Sequence, residues 1–493
     1  MNLGYKIPSV KKNYVYNSLQ SVVNVLYPLV SFAYVSRILG PDMFGKVAFA
    51  SSFAGYFMLL ACLGIPLYGA REIAKARANR ENLNAVFSEL FIINGCSTLL
   101  SALLYAITLV SVPRIRCDLP LFCIVGVNIV ANTFTIEWLF QGYENYRNIT
   151  LRSITIKGAA LVLLFAFVKT RSDYLWYAAA SVFSTAGAAA VGMVQGARRV
   201  KFTLAGIAPL RHVRPVLTLF SSTLMVSIYL YLDSMMLGFW AGDKFVGFYN
   251  AALRVDRIAV GLITAMGMVL IPRISYYLEN NMIADYRRVA EKSLCFIFFI
   301  GFPLVTALFL LAPQVMAVLA GKGFAESVLT MRIAMPILLI IGISNFVGLQ
   351  ILFPHGGEKI LFQATFVAAV IDICVNLWLI PLYQHNGAAV ATVCAETTTL
   401  AFFIILGGKR YLAFRFFGRR SLAYLCASAV MGLVVWIVTL AVRNNLAALF
   451  VAAVAGGGIY IGILLCLKDS LAAEILVLVR ARLPGGAFYK RDL

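Results

Sequence analysis

The chain is 493 residues long, 61% hydrophobic and only 13% charged, with a mean hydropathy of +0.87, which excludes a soluble globular domain. Its net charge of +21 invites a nucleic-acid reading, but the basic residues fall in short segments between apolar runs, the pattern of positive-inside topology, so no nucleic-acid partner is expected. Those runs are about 20 residues long without period-two alternation, which argues against a β-barrel and for spanning helices.

The expected fold is an all-α integral membrane protein with about fourteen transmembrane helices. The opening MNLGYKIPSVKKNYVYNSL holds Lys6, Lys11 and Lys12 without a small-residue cleavage site and leads into a retained first span. Six spans follow at 14–37, 47–70, 86–112, 119–140, 149–168 and 174–195. The basic connection GARRVKFTLAGIAPLRHVRP leads to six more at 216–240, 247–272, 294–317, 328–353, 360–382 and 388–406. A second basic loop, GGKRYLAFRFFGRRS, precedes a last pair at 422–442 and 446–467, and an amphipathic stretch, LAAEILVLVRARL, lies on the membrane surface. The expected organisation is an N-lobe (1–195), a cytoplasmic linker (196–215), a C-lobe (216–406) and a C-terminal pair with its tail (407–493).

With both termini cytoplasmic, about 29 of the Lys and Arg residues fall in cytoplasmic segments and about 8 in external ones, a bias that sets the orientation. An internal repeat supports two equivalent lobes. LGPDMFGKVAFA (39–50) aligns with AGDKFVGFYNAA (241–252), so that Gly40 matches Gly242, Gly45 matches Gly247 and Arg71 matches Arg273. A second echo joins LFQGYENYRNI, from Leu139, to LFPHGGEKI, from Leu352, with one residue inserted. Repeats six spans apart share an orientation, so the lobes are expected to be related by a pseudo-two-fold axis along the membrane normal, with a pathway between them.

Charges inside the spans are costly and mark candidate sites. Arg254 and Arg257 share a helix face in span eight, while Asp256 points away from Arg254. Asp233 lies at a similar depth in span seven, so two readings stand: a structural Asp233–Arg254 pair, or a surplus arginine facing water. Lys157, mid-span with no acid at helical spacing, is a cavity candidate beside a snorkelling alternative. Arg37 and Arg332, near outer span ends, are candidate substrate contacts for which snorkelling serves equally well. Asp372, Glu396, Glu137, Asp233 and Asp256 are candidate proton or sodium carriers, with a hydrogen-bonded structural carboxyl as the alternative. His212, His355 and His385 are placed in loops, which argues against a histidine relay in the core. Pro28, Pro66, Pro303 and Pro336 lie within spans and are candidate kinks or bends for gating, with a helix irregularity of no functional purpose as the alternative.

The nine cysteines are scattered without a CxxC pair, and no P-loop, HExxH or nucleophile elbow occurs, so no cofactor, metal or enzymatic activity is expected.

Residues 27–74, YPLVSFAYVSRILGPDMFGKVAFASSFAGYFMLLACLGIPLYGAREIA, and 246–275, VGFYNAALRVDRIAVGLITAMGMVLIPRIS, resemble the O-antigen, or polysaccharide, flippases of the multidrug/oligosaccharidyl-lipid/polysaccharide exporter superfamily. The resemblance implies movement of an undecaprenyl-diphosphate-linked oligosaccharide between leaflets of a bacterial inner membrane by alternating access. Ion coupling and a polymerase partner are expected with it. A diphosphate needs a positive, wet cavity, which Lys157, Arg254 and Arg257 would furnish. By motif the resemblance carries over only Arg37, Arg254 and the glycine turns. The alternative function is a drug or small-cation antiporter of the same architecture, against which the excess of positive charge in the spans argues.

Overall fold

The computed structural model describes residues 10–204, 206–407 and 418–482; much of the second basic loop, Lys409 to Arg415 included, lies outside the described residues, as does Lys6. All the regular structure described is helical. Among the described residues, ten helical stretches are long and apolar enough to cross a membrane. Two of them, Lys12–Ala76 and Glu358–Gly407, run 65 and 50 residues, far beyond the roughly 20 that one crossing takes. Each folds at a positive φ, Gly40 at 69° and Gln384 at 48°, so each holds two crossings.

The helices are α1 (Val10–Cys62), α2 (Ile65–Ala76), α3 (Arg80–Ser111), α4 (Pro113–Arg116), α5 (Leu119–Ala131), α6 (Glu137–Gly142), α7 (Tyr146–Phe167) and α8 (Tyr174–Ala197). After the linker come α9 (Leu210–Trp240), α10 (Asp243–Glu279), α11 (Ile283–Leu310), α12 (Ala312–Leu319), α13 (Ser327–Ala334), α14 (Pro336–Asn345) and α15 (Glu358–Phe402). The last are α16 (Arg419–Ala441), α17 (Asn445–Cys466) and α18 (Ser470–Arg482). By packing, the chain forms two compact units: one runs to Asn250 and takes in Asn376–Ala388, and the other comprises Ala251–Val375 and Ala389–Leu493.

Four expected continuous spans are interrupted, one of them the 294–317 span, which breaks at Leu311 where Pro313 lies in the first turn of α12. The 47–70 span breaks after Cys62, where Leu63 takes a φ of 42° and Pro66 opens α2, because proline fits the first helical turn and not an interior one. The 328–353 span breaks before Pro336 for the same reason and ends in a π-helix, Phe346–Leu352. The 119–140 span breaks at Asn132–Phe134, and that break shapes the candidate site.

The repeat has a local structural counterpart. Gly40 and Gly242 both take positive φ, 69° and 110°, the backbone state that glycine reaches without strain. In the second echo, Glu144 N–H donates to Gln141 O and Asn145 N–H to Phe140 O (both 2.8 Å). Gly356 N–H donates to Phe353 O (3.1 Å) and Gly357 N–H to Leu352 O (2.8 Å), the same spacing. Both are Schellman-type helix ends around a left-handed residue, Glu144 at 55° and Gly356 at 74°, and a new helix starts two residues later in each.

One histidine, His212, differs from the loop placement expected of it, whereas His385 directly follows the fold at Gln384 and His355 sits between two helices. His212 lies in α9 and His385 in α15, both 4% exposed, and His355 ends a short 3-10 turn. The assignment failed for His212 because α9 begins at Leu210, earlier than hydropathy alone suggests.

Candidate functional site

The break between α5 and α6 is held by a polar cluster. Asn132 Nδ2 donates to Asn94 Oδ1 (3.0 Å) and Thr98 Oγ1 (3.2 Å), and Asn94 Nδ2 donates back to the carbonyl of Asn132 (3.1 Å). All three side chains are buried. In hydrocarbon a freed backbone carbonyl needs a partner within the protein, so this cluster is what makes the interruption tolerable. Its consequence is that Thr135, Ile136 and the first residue of α6, Glu137, line a cavity of about 270 Å3 within the first unit.

Facing Glu137 across that cavity, α7 presents Arg152 and Lys157. Arg152 donates from Nη2 to Glu137 Oε1 at 3.4 Å, with its side chain 3% exposed against 42% for the carboxylate. Its guanidinium also lies 5.2 Å from the Phe140 ring. Its Nη1 is buried and makes no hydrogen bond with the described residues. Gly192 of α8 makes room for it: a Cβ there would stand 2.5 Å from Nη1. Lys157 donates to Asn24 Oδ1 of α1, and its ammonium sits 5.8 Å from the centre of the Tyr27 ring. The cavity thus sets two cations against one carboxylate, with Ser153, Ser184 and Thr185 as further polar groups on its wall. An anion with several acceptor oxygens matches that donor set, since the arginine fork offers a spare N–H and the lysine a second charge.

Of the residues singled out from sequence, Lys157 and Glu137 therefore meet in one cavity, and Arg152 was overlooked. Its position as the fourth residue of the expected span 149–168 was the available signal. Asp233 in α9 is 4% exposed and accepts from Asn376 Nδ2 (2.6 Å) and from the Tyr249 hydroxyl. In the second unit, Asp256 is buried, with Arg257 and Glu396 as its charged neighbours. Asp256 Oδ1 makes no hydrogen bond with the described residues. Asp372 and Glu396 are buried in α15, 1% and 9% exposed, and Arg254 is partly buried in α10. Arg332 donates to the carbonyl of Phe309 (3.1 Å) at the end of α11 and lies over that ring. Arg37 is exposed, three residues before the Gly40 fold.

Comparison with known proteins agrees with this architecture. Residues 10–278 match the family described as "Polysaccharide biosynthesis protein". An Escherichia coli (strain K12) protein designated an O-antigen transporter is 27% identical over 406 residues, covering 80% of this chain and 97% of its own. A lipid II flippase, MurJ, from Bacillus subtilis (strain 168) is 25% identical over a shorter stretch, 38% of this chain and 35% of that protein. Among solved structures, the inward closed conformation of the lipid II flippase MurJ superposes with a TM-score of 0.75 at 13% identity, over 94% of this chain and 99% of that one. An inward-facing multidrug resistance transporter of the MATE family and MOP superfamily follows with 0.62 at 16% identity, over 81% and 98%. A family match over more than half of the sequence, with an all-helical membrane fold shared with flippases, shows that the chain belongs to the polysaccharide biosynthesis protein family.

Proposed function

We propose that the protein is a flippase that moves an undecaprenyl-diphosphate-linked oligosaccharide from the cytoplasmic to the outer leaflet of a bacterial inner membrane, by alternating access, for surface polysaccharide synthesis. The observation that carries this reading is the Arg152–Lys157 cavity, where two cations face one acid beside a broken helix. A diphosphate is anionic at every physiological pH and rich in acceptors, so it gains charge-assisted hydrogen bonds there that a cationic drug would forgo. The names borne by the relatives, O-antigen transporter and lipid II flippase, support the same class of cargo.

In this account Arg152 and Lys157 receive the headgroup, and Arg254 and Arg257 add positive charge from α10. Arg37 and Arg332 act nearer the outer ends of their helices. Glu137, exposed to the cavity and already sharing Arg152, competes with the substrate anion for that guanidinium. Asp233, Asp256, Asp372 and Glu396 are the remaining carboxylates available to an ion gradient, and Asp256 Oδ1 accepts no hydrogen bond among the described residues. The division into two six-helix lobes, the cytoplasmic termini and a polymerase partner belong to the same proposal. The test is complementation of a strain lacking its own flippase: wild type restores surface glycan, and Arg152→Ala with Lys157→Ala abolishes it at equal membrane abundance. Normal glycan from the double variant would refute the cavity's role.

A further inference from the structure

A second cavity in the first unit has no part in the site above. It is an apolar groove of about 620 Å3, walled by Leu60 and Leu63 after the Gly40 fold, by α3 from Ile92 to Leu104, and by Leu210, Val213 and Leu217 at the start of α9. The wall's two serines are turned away from any occupant, because Ser97 donates to the carbonyl of Ala61 and Ser101 to that of Phe57. The groove is open: Leu210 is 84% exposed, Leu100 61% and Leu217 47%. From Ile92 to Leu104 the rise is about 18 Å, close to the roughly 15 Å depth of one leaflet.

One end of the groove is charged. Leu210, Val213, Arg214 and Leu217 share one face of α9, and Arg214 stands with them in a shallow extension of the groove. Arg211, its neighbour, is held by Glu89 at 2.6 Å. The exposed guanidinium of Arg214, by contrast, makes no ion pair or hydrogen bond among the described residues. Apolar walls one leaflet deep, ending at an uncommitted cation on the basic side of the protein, match a lipid with an anionic head.

We propose that this groove binds an anionic phospholipid of the cytoplasmic leaflet, one acyl chain lying along α3 and the phosphate resting on Arg214. The site rests on the orientation proposed above and not on the cargo, so it stands or falls separately from the flippase reading. Such a lipid ties the start of α9 to α3 beside the linker.

Native mass spectrometry of the full-length protein, purified in detergent and titrated with phosphatidylglycerol, phosphatidylcholine or undecaprenyl phosphate, tests it. Phosphatidylglycerol is expected to be retained in preference to phosphatidylcholine. Arg214→Ala should weaken that retention about fivefold, Arg214→Lys should preserve most of it, and Cys96→Trp, which fills the groove, should abolish it without changing the melting temperature by more than a few degrees. Equal retention of the two phospholipids, or no loss in either Arg214→Ala or Cys96→Trp, overturns the proposal. Displacement of phosphatidylglycerol by an equal concentration of undecaprenyl phosphate also overturns it, by giving the groove to a prenyl lipid.

Discussion

Gly45 and Gly247 make a reciprocal contact: a Cβ on Gly45 would lie 1.8 Å from the carbonyl oxygen of Asp243, and a Cβ on Gly247 would lie 2.1 Å from that of Pro41. The offset that carries Gly45 onto Gly247 also carries Pro41 onto Asp243. Two copies of one turn therefore face each other within the first unit, related by a local two-fold, and each glycine is required by the backbone of the other copy. Arg114 adds an ion pair to Asp243 at 2.8 Å, and its guanidinium lies over Phe49.

Alanine at either glycine must push backbone against backbone, which cannot be relieved by a rotamer change. Overpacking of this kind costs about 1–3 kcal/mol or more. Gly45→Ala and Gly247→Ala should each lower the melting temperature of the detergent-purified protein by several degrees. Gly95→Ala, where a Cβ meets nothing within 4 Å, should leave it unchanged, and equal melting for all three would show that the contact is loose.

Arg152 is buried against Glu137 and Phe140, and only its guanidinium matches both the carboxylate and an incoming anion. Arg152→Lys keeps the charge but loses the fork, so transport should fall about tenfold, the worth of roughly 1.4 kcal/mol. Arg152→Ala should fall further and destabilise the protein, because Glu137 then loses its partner. Gly192→Ala should mimic the weaker of these defects by displacing Nη1. Transport rates measured beside thermal melting separate the loss of a contact from the loss of fold.

The helix break depends on Asn132 and Asn94. Asn132→Leu leaves the Asn94 amide and the Thr98 hydroxyl short of a partner, an expected cost of about 1–3 kcal/mol. The double variant Asn94→Leu, Asn132→Leu should be less damaging than the sum of the two singles, because the same hydrogen bonds are lost in each. Additive costs from chemical denaturation in detergent would refute a shared network.

Glu89 anchors the linker to α3. It is 1% exposed and accepts from the Ala208 N–H (2.7 Å), from Arg211 and from His212 Nε2 (2.7 Å), while the Tyr68 hydroxyl bonds His212 Nδ1 at 2.8 Å. With Lys201 and Thr203 N–H groups on Asn84 and Ser88 (both 2.9 Å), one face of α3 holds the connection along much of its length. Glu89→Ala should release it, and limited trypsin digestion between Arg198 and Arg214 should then proceed several times faster. Unchanged digestion would mean that the anchor lies elsewhere.

Hydropathy and Lys/Arg bias were enough to read the helical membrane fold, because burial in lipid leaves the backbone few choices. The repeat was readable from Gly40, Gly45, Gly242 and Gly247, since positive φ and close approach both select glycine. What sequence reading missed is the break at Asn132. Pro66 and Pro336 mark theirs, but Asn132 carries no breaker signature, and the residues that license its break, Asn94 and Thr98, come from another helix. Arg152 was overlooked and Lys157 noticed for a related reason: depth along a span is visible in sequence, but which cation meets which acid is settled by packing. His212 looked like a loop residue because the basic segment around it hides the start of α9.

The central claim is that the Arg152–Lys157 cavity receives the anionic headgroup of a lipid-linked sugar, and the most direct measurement is translocation in proteoliposomes. Vesicles carrying an undecaprenyl-diphosphate-linked oligosaccharide with a fluorescent sugar are reconstituted with wild type or with Arg152→Ala, Lys157→Ala, and the outer-leaflet fraction is followed with a membrane-impermeant quencher. The account predicts rapid exchange of label between leaflets with wild type and a rate near that of protein-free vesicles with the double variant. Equal rates for wild type and the double variant, both well above protein-free vesicles, would contradict it.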